Sequence, residues 1–169
     1  MRTFQDTILA SACLLGVNCR YDGKSSRNER LIRLLKRKKV LPVCPEQLGG
    51  LPTPRDAAVF VGGAGAEVLR GNAQVRTKSG KDVTAHFVRG ANEVARIAGL
   101  AGARVWIGKE GSPSCGVRRV VANGKVYRGS GVTTSLLFER GLTVTTNFSR
   151  SAGVRRSRGE RKRKKVTHG

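Results

Sequence analysis

The sequence predicts an α/β protein: a small single domain with a mostly parallel sheet flanked by helices, Rossmann-like, carrying inserted hairpins and a disordered basic C-terminal tail. Three observations predict it. Short apolar runs at residues 7–14, 40–44 and 104–108 alternate with segments of helical periodicity at 25–38 and 84–100. Crossovers of that kind are right-handed and return the chain to a parallel neighbour. From residue 149 onward apolar periodicity stops, and residues 150–165 hold nine Lys or Arg against one Glu. The domain is therefore expected over 1–148 and the disordered tail over 149–169.

The elements follow in order. Residues 7–14 (TILASACL) read as a buried first strand, and 16–23 (GVNCRYDG) as a loop. Ser25 or Ser26 can cap a helix reaching Lys38, with Leu31, Leu34 and Leu35 as its apolar stripe. Lys36, Arg37, Lys38 and Lys39 then suit the negative pole of that helix. Residues 40–44 (VLPVC) read as a second strand, broken by a long loop that starts at Pro45 and includes Pro52 and Pro54. The Gly-rich stretch 57–83, with its short β-type runs AAVFV, AEVL and AQVRT, reads as an irregular hairpin. Thr84 opens a second helix through Leu100, and 104–108 (RVWIG) is a third strand leading into EGSPSCG. Asn123-Gly124 between two β-type runs marks a hairpin, because that pair supplies the positive φ angles of a type I′ turn. Residues 132–140 read as a short helix and 142–146 as a last strand.

Composition narrows the function classes. With 38% hydrophobic and only 5% aromatic residues, the core must be largely aliphatic. No run approaches the apolar length of a membrane span, and residues 1–10 contain Asp6 and no small-residue cleavage site, so a cytoplasmic protein is expected. Lys+Arg 33 against Asp+Glu 11 gives a net charge of +22. Such a field attracts polyanions, so contact with RNA through the basic surface and tail is a candidate property. Four cysteines in a cytoplasmic chain point to metal, redox chemistry or packing rather than to a disulfide framework.

Their positions are informative. In parallel sheets, ligands bind beyond the carboxyl ends of the strands. Cys13 ends the first strand, Cys44 ends the second and Cys115 lies in the loop after the third, so three thiols distant in sequence are expected to converge. Structural zinc prefers closely spaced Cys pairs, and the nearest pair here, Cys13 and Cys19, is too wide for that spacing. Thiolates gathered from separate strand ends also suit an iron–sulfur cubane. Spacing alone leaves zinc and iron–sulfur open.

Longer motifs carry a resemblance. SACLLG at 11–16, CRYDG at 19–23, PVCPEQLGG at 42–50 and SPSCG at 112–116 resemble, in that order, the bacterial domain-of-unknown-function family that includes the thiouracil desulfidases. LPTPR at 51–55, KDVT at 81–84 and GVT at 131–133 extend the likeness over most of the chain. The resemblance implies that Cys13, Cys44 and Cys115 hold a [4Fe-4S] cluster and that Glu46 and Ser112 are catalytic. It also implies a desulfidase that removes sulfur, as sulfide, from a thiolated pyrimidine, either thiouracil or a 4-thiouridine nucleotide.

Other residues enter as candidate substrate contacts: Cys19 and Arg20 in the loop after the first strand, Ser114 beside Cys115, and the doublet Arg118-Arg119. A basic mouth formed by that doublet would favour a nucleotide phosphate over a free base. The competing reading is a basic RNA-binding module whose thiols hold a structural zinc ion.

Overall fold

Strand β1 (Thr7–Ser11) is buried on both faces, with Ile8, Leu9 and Ala10 each no more than 2% exposed. A strand sequestered in this way needs neighbours on both edges and cover on both faces. The computed structural model, which describes residues 7–122 and 125–146, supplies both. After β1 the chain forms a 3-10 turn (Ala12–Leu15), then α1 (Glu29–Leu35), β2 (Val40–Val43) and α2 (Pro45–Leu48). An insert follows, made of β3 (Ala58–Val61), α3 (Gly65–Leu69) and β4 (Gln74–Thr77). Helix α4 (Thr84–Ala101) leads to β5 (Ala103–Ile107), the hairpin β6 (Arg119–Ala122) and β7 (Lys125–Arg128), α5 (Val132–Glu139) and β8 (Thr143–Thr145).

The main sheet has the order β2-β1-β5-β8, and all its pairings are parallel. Register places Leu9 between Leu41 and Trp106, and Ala10 between Pro42 and Ile107. Pro42 is tolerated because β2 is an edge strand. Ile8, Ala10 and Ile107 pack against Leu31 and Leu35 of α1 on one face. Leu9 and Trp106 pack against Val94, Ala98 and Leu137 of α4 and α5 on the other. A second cluster, with Val75, Phe87, Ala91 and Val132, seats the insert on the front of α4 and α5.

Several elements differ from the sequence reading, each for a local reason. Ser26 N–H donates to the Cys13 carbonyl at 2.9 Å and Asn28 N–H to the Leu14 carbonyl at 2.9 Å. That segment is held extended along the 3-10 turn, so α1 starts only at Glu29, with the Asn28 side chain accepting from Leu31 N–H at 3.0 Å. The expected loop after Cys44 is a helical turn instead. Pro45 occupies its first position, where a fixed φ and a missing N–H cost nothing. The AEVL run, read as β-type, is helix α3, which buries Val68 in the second cluster. The expected hairpin strands β6 and β7 pair antiparallel, while the turn residues Asn123 and Gly124, like the expected tail, lie outside the described residues. Among the described residues no helix is long and apolar enough to cross a membrane.

Candidate active site

The strand order contains one reversal. The chain leaves β1 for β2 on one side and returns to β5 on the other, so a crevice opens beyond the carboxyl ends of β1 and β5. A cavity of about 430 Å³ lies there. Its wall includes Cys13, Cys44 and Cys115 together with Cys19, Glu46 and Ser112.

Each cysteine is set by its own element. Cys13 sits in the 3-10 turn that ends on Gly16, whose φ of 97° lets the chain double back. Cys44 occupies the N-cap position of α2. Cys115 closes the turn after β5, where the Ser112 oxygen accepts N–H bonds from Ser114 and Cys115 at 3.1 Å each. Helix α5 grips the same turn from behind. Val132 N–H donates to the Pro113 carbonyl and Thr133 N–H to the Ser114 carbonyl, both at 3.0 Å. Trp106 Nε1 donates to Thr134 Oγ1 at 2.8 Å, and that hydroxyl donates to the Cys115 carbonyl at 2.8 Å. Gly131 allows this approach, since a Cβ there would lie 2.3 Å from the Ser114 carbonyl.

The thiols act on one another. Cys13 and Cys19 are buried together, with Cys44 packed against them, and Cys44 Sγ donates to the Cys19 carbonyl at 3.6 Å. The contact with Cys13 pushes the Cys19 thiol up from 9.0 to about 11. The bond to Cys19 and burial push Cys44 well above the usual thiol range. Burial pushes Cys115 up to about 12. Cys19, Cys44 and Cys115, all pushed up, bind as thiolates only where a cationic body draws off their protons, and soft sulfur donors select iron–sulfur, copper(I) or zinc. Among the described residues no three His, Cys, Asp or Glu side chains form a group set for one metal ion. A cubane would take one iron per thiolate, so its thiolate ligands need not share one ion.

The comparisons with known proteins agree with this setting. Residues 8–148 match the family model described as 2-thiouracil desulfurase. The chain belongs to the 2-thiouracil desulfurase family. One relative is the uncharacterized protein YbbK of Bacillus subtilis (strain 168), 43% identical over 140 residues, or 81% of this chain and 93% of that protein. A similar solved structure is that of the [4Fe-4S]-dependent thiouracil desulfidase TudS. It matches with a TM-score of 0.71 and 42% identity over 82% of this chain and 89% of TudS.

For this member of the family, the other candidate residues divide into two groups. Arg20 lines the cavity, bonded to Asp22 and Ser26 with its guanidinium 5.5 Å from the Tyr21 ring centre. Cys19 lines it too, and is buried. Ser114, expected at the substrate, is instead buried and bonded to Thr133 Oγ1 at 3.0 Å, away from the cavity wall. Arg118 and Arg119 are also displaced from the expected mouth. Their backbone N–H groups donate to the two Glu110 oxygens at 3.0 Å, and their side chains are exposed outside the wall. Sequence reasoning missed four charged lining residues, Arg55, Lys78, Lys109 and Glu110. Arg55 was within sight, as the last residue of the LPTPR motif. Lys78 and Lys109 carry no sequence signal.

Proposed function

We propose that this chain removes the sulfur of thiouracil as sulfide, on a [4Fe-4S] cluster held by Cys13, Cys44 and Cys115, with Glu46 and Ser112 as catalytic residues. The observation that carries the proposal is the meeting of these five side chains, from three strand ends, on one cavity wall. Membership of the 2-thiouracil desulfurase family supports the reaction, and the likeness to TudS supports the cofactor. When bound, a cubane with three protein thiolates supplies an open iron that is a Lewis acid for a soft sulfur atom.

The chain's own groups provide the rest. Two carboxylates line the cavity, but Glu110 is committed by both oxygens to backbone N–H groups. Among the described residues Glu46 bonds through Oε2 only, to Arg55. Its Oε1 is therefore the group to take a proton from water as the new C–O bond forms. Ser112 uses its oxygen to accept two N–H bonds, so its hydroxyl proton is left to donate to the pyrimidine ring. Oxygen replaces sulfur on the ring carbon, the protons of water depart with the sulfide, and no electrons are gained or lost.

Arg20 and Lys78 on the cavity wall favour a substrate that also bears phosphate, a 4-thiouridine nucleotide over the free base. The test is anaerobic turnover. Thiouracil should give equimolar uracil and sulfide, and Glu46→Gln should keep the brown protein while losing about 10²–10⁴-fold in rate. Full activity in Glu46→Gln rejects the base assignment.

A further inference from the structure

Arg55 lies in the loop after α2, and its side chain is only 6% exposed. A guanidinium is costly to bury unless its donors are paired. Here they are. Nε donates to Glu46 Oε2 at 2.7 Å, Nη2 to the Cys19 carbonyl at 3.0 Å, and Nη1 to Pro52 O and Thr53 Oγ1 at 3.1 Å each. The backbone N–H of Arg55 donates to the Tyr21 carbonyl at 2.8 Å. One side chain thus ties the cysteine-bearing loop, the helix that carries Glu46 and its own loop into one unit.

The way the fork is divided matters. In a bidentate pair, two N–H groups of the guanidinium take both carboxylate oxygens. Here only Nε bonds Glu46, through Oε2, while Nη2 donates to the Cys19 carbonyl, and Oε1 accepts no bond among the described residues. We propose that Arg55 is a positioning residue for desulfidation: its one-oxygen grip fixes the Glu46 carboxylate with Oε1 left to the attacking water. This rests on Glu46 as the base. Lysine cannot replace it, because an ammonium lacks a planar fork to hold a carboxylate and a carbonyl in fixed relation.

The test is a double-mutant cycle on anaerobically reconstituted protein: wild type, Arg55→Lys, Glu46→Gln and the double variant. Cluster absorbance and melting temperature are recorded for each, and the affinity for uracil, the product, is measured by calorimetry. Arg55→Lys should lower kcat by about 10–100-fold with KM and uracil affinity changed by less than about twofold. In the Glu46→Gln background the same change should cost less than about twofold. An equal loss in both backgrounds, or a loss of uracil affinity matching the loss of kcat, overturns the positioning role and leaves Glu46 as the base. Wild-type kcat in Glu46→Gln removes the base assignment itself, and the Arg55 role with it. Should Arg55→Lys fail to hold its cluster, Arg55→Gln enters the same cycle. Cluster loss in both makes Arg55 a scaffold residue and overturns the proposal.

Discussion

Helix α2 carries Cys44 at its cap and Glu46 in its first turn, and it lies against α4 with almost nothing between the backbones. A Cβ on Gly90 would stand 1.9 Å from the Pro45 carbonyl oxygen and 2.8 Å from its carbon. On the other side, a Cβ on Gly49 would stand 2.1 Å from the His86 carbonyl oxygen. Real Cβ contacts essentially never fall below 3.0 Å. In Gly90→Ala, α2 must therefore retreat by about 1 Å, since the carbonyl is backbone and has no rotamer to change. A displacement of about 1 Å at a reacting group costs on the order of 100-fold in rate. The forced separation should also destabilise the fold by about 1–3 kcal/mol. Sulfide release and thermal melting measure the two effects. Gly99→Ala in the same helix is the control, because nothing lies within 4 Å of a Cβ there. It should leave turnover unchanged and raise stability by up to about 1 kcal/mol. Wild-type turnover and melting in Gly90→Ala would refute the claim that this contact places Glu46.

Three further outcomes follow from the same geometry. Thr134→Val leaves Trp106 Nε1 and the Cys115 carbonyl without their shared partner, so urea melts should show about 2–5 kcal/mol less stability. In protein stripped of iron, burial pushes the Cys115 thiol of the folded state up to about 12 from the ordinary 9.0. The native state then holds more protons than the unfolded state between those values, so stability should fall as pH rises from about 9 towards 12. A flat melting temperature across that window contradicts the thiol assignment. Lys78→Glu should reduce the ratio of kcat/KM for 4-thiouridine monophosphate to that for thiouracil, most visibly at low salt. An unchanged ratio removes Lys78 from phosphate recognition.

The parallel sheet was legible because buried strands announce themselves as apolar runs; Cys13 and Cys44 stand at the ends of the first two, and Cys115 lies in the loop after the third. Convergence at the crevice follows from strand ends alone. What escaped depends on tertiary partners. Helix α2 is one turn stabilised by Pro45 and by its seat on α4, which no local periodicity encodes. Helix α3 hides in a run of five residues, too short to show helical periodicity, and is seated by the packing of Val68 and Leu69. The exposure of Arg118 and Arg119 outside the cavity lining was unreadable, since it depends on Glu110, which takes their backbone N–H groups. The Arg55–Glu46 pair joins positions separated by a proline-rich loop whose path the sequence leaves open.

The most direct test is the iron content of the four single Cys→Ser variants after anaerobic reconstitution, read beside their release of sulfide from thiouracil. Wild type and Cys19→Ser should bind about four irons per chain and turn over, while Cys13→Ser, Cys44→Ser and Cys115→Ser lose both the cluster and the activity. Loss of cluster in Cys19→Ser, or full loading in any of the other three, contradicts a cubane held by Cys13, Cys44 and Cys115.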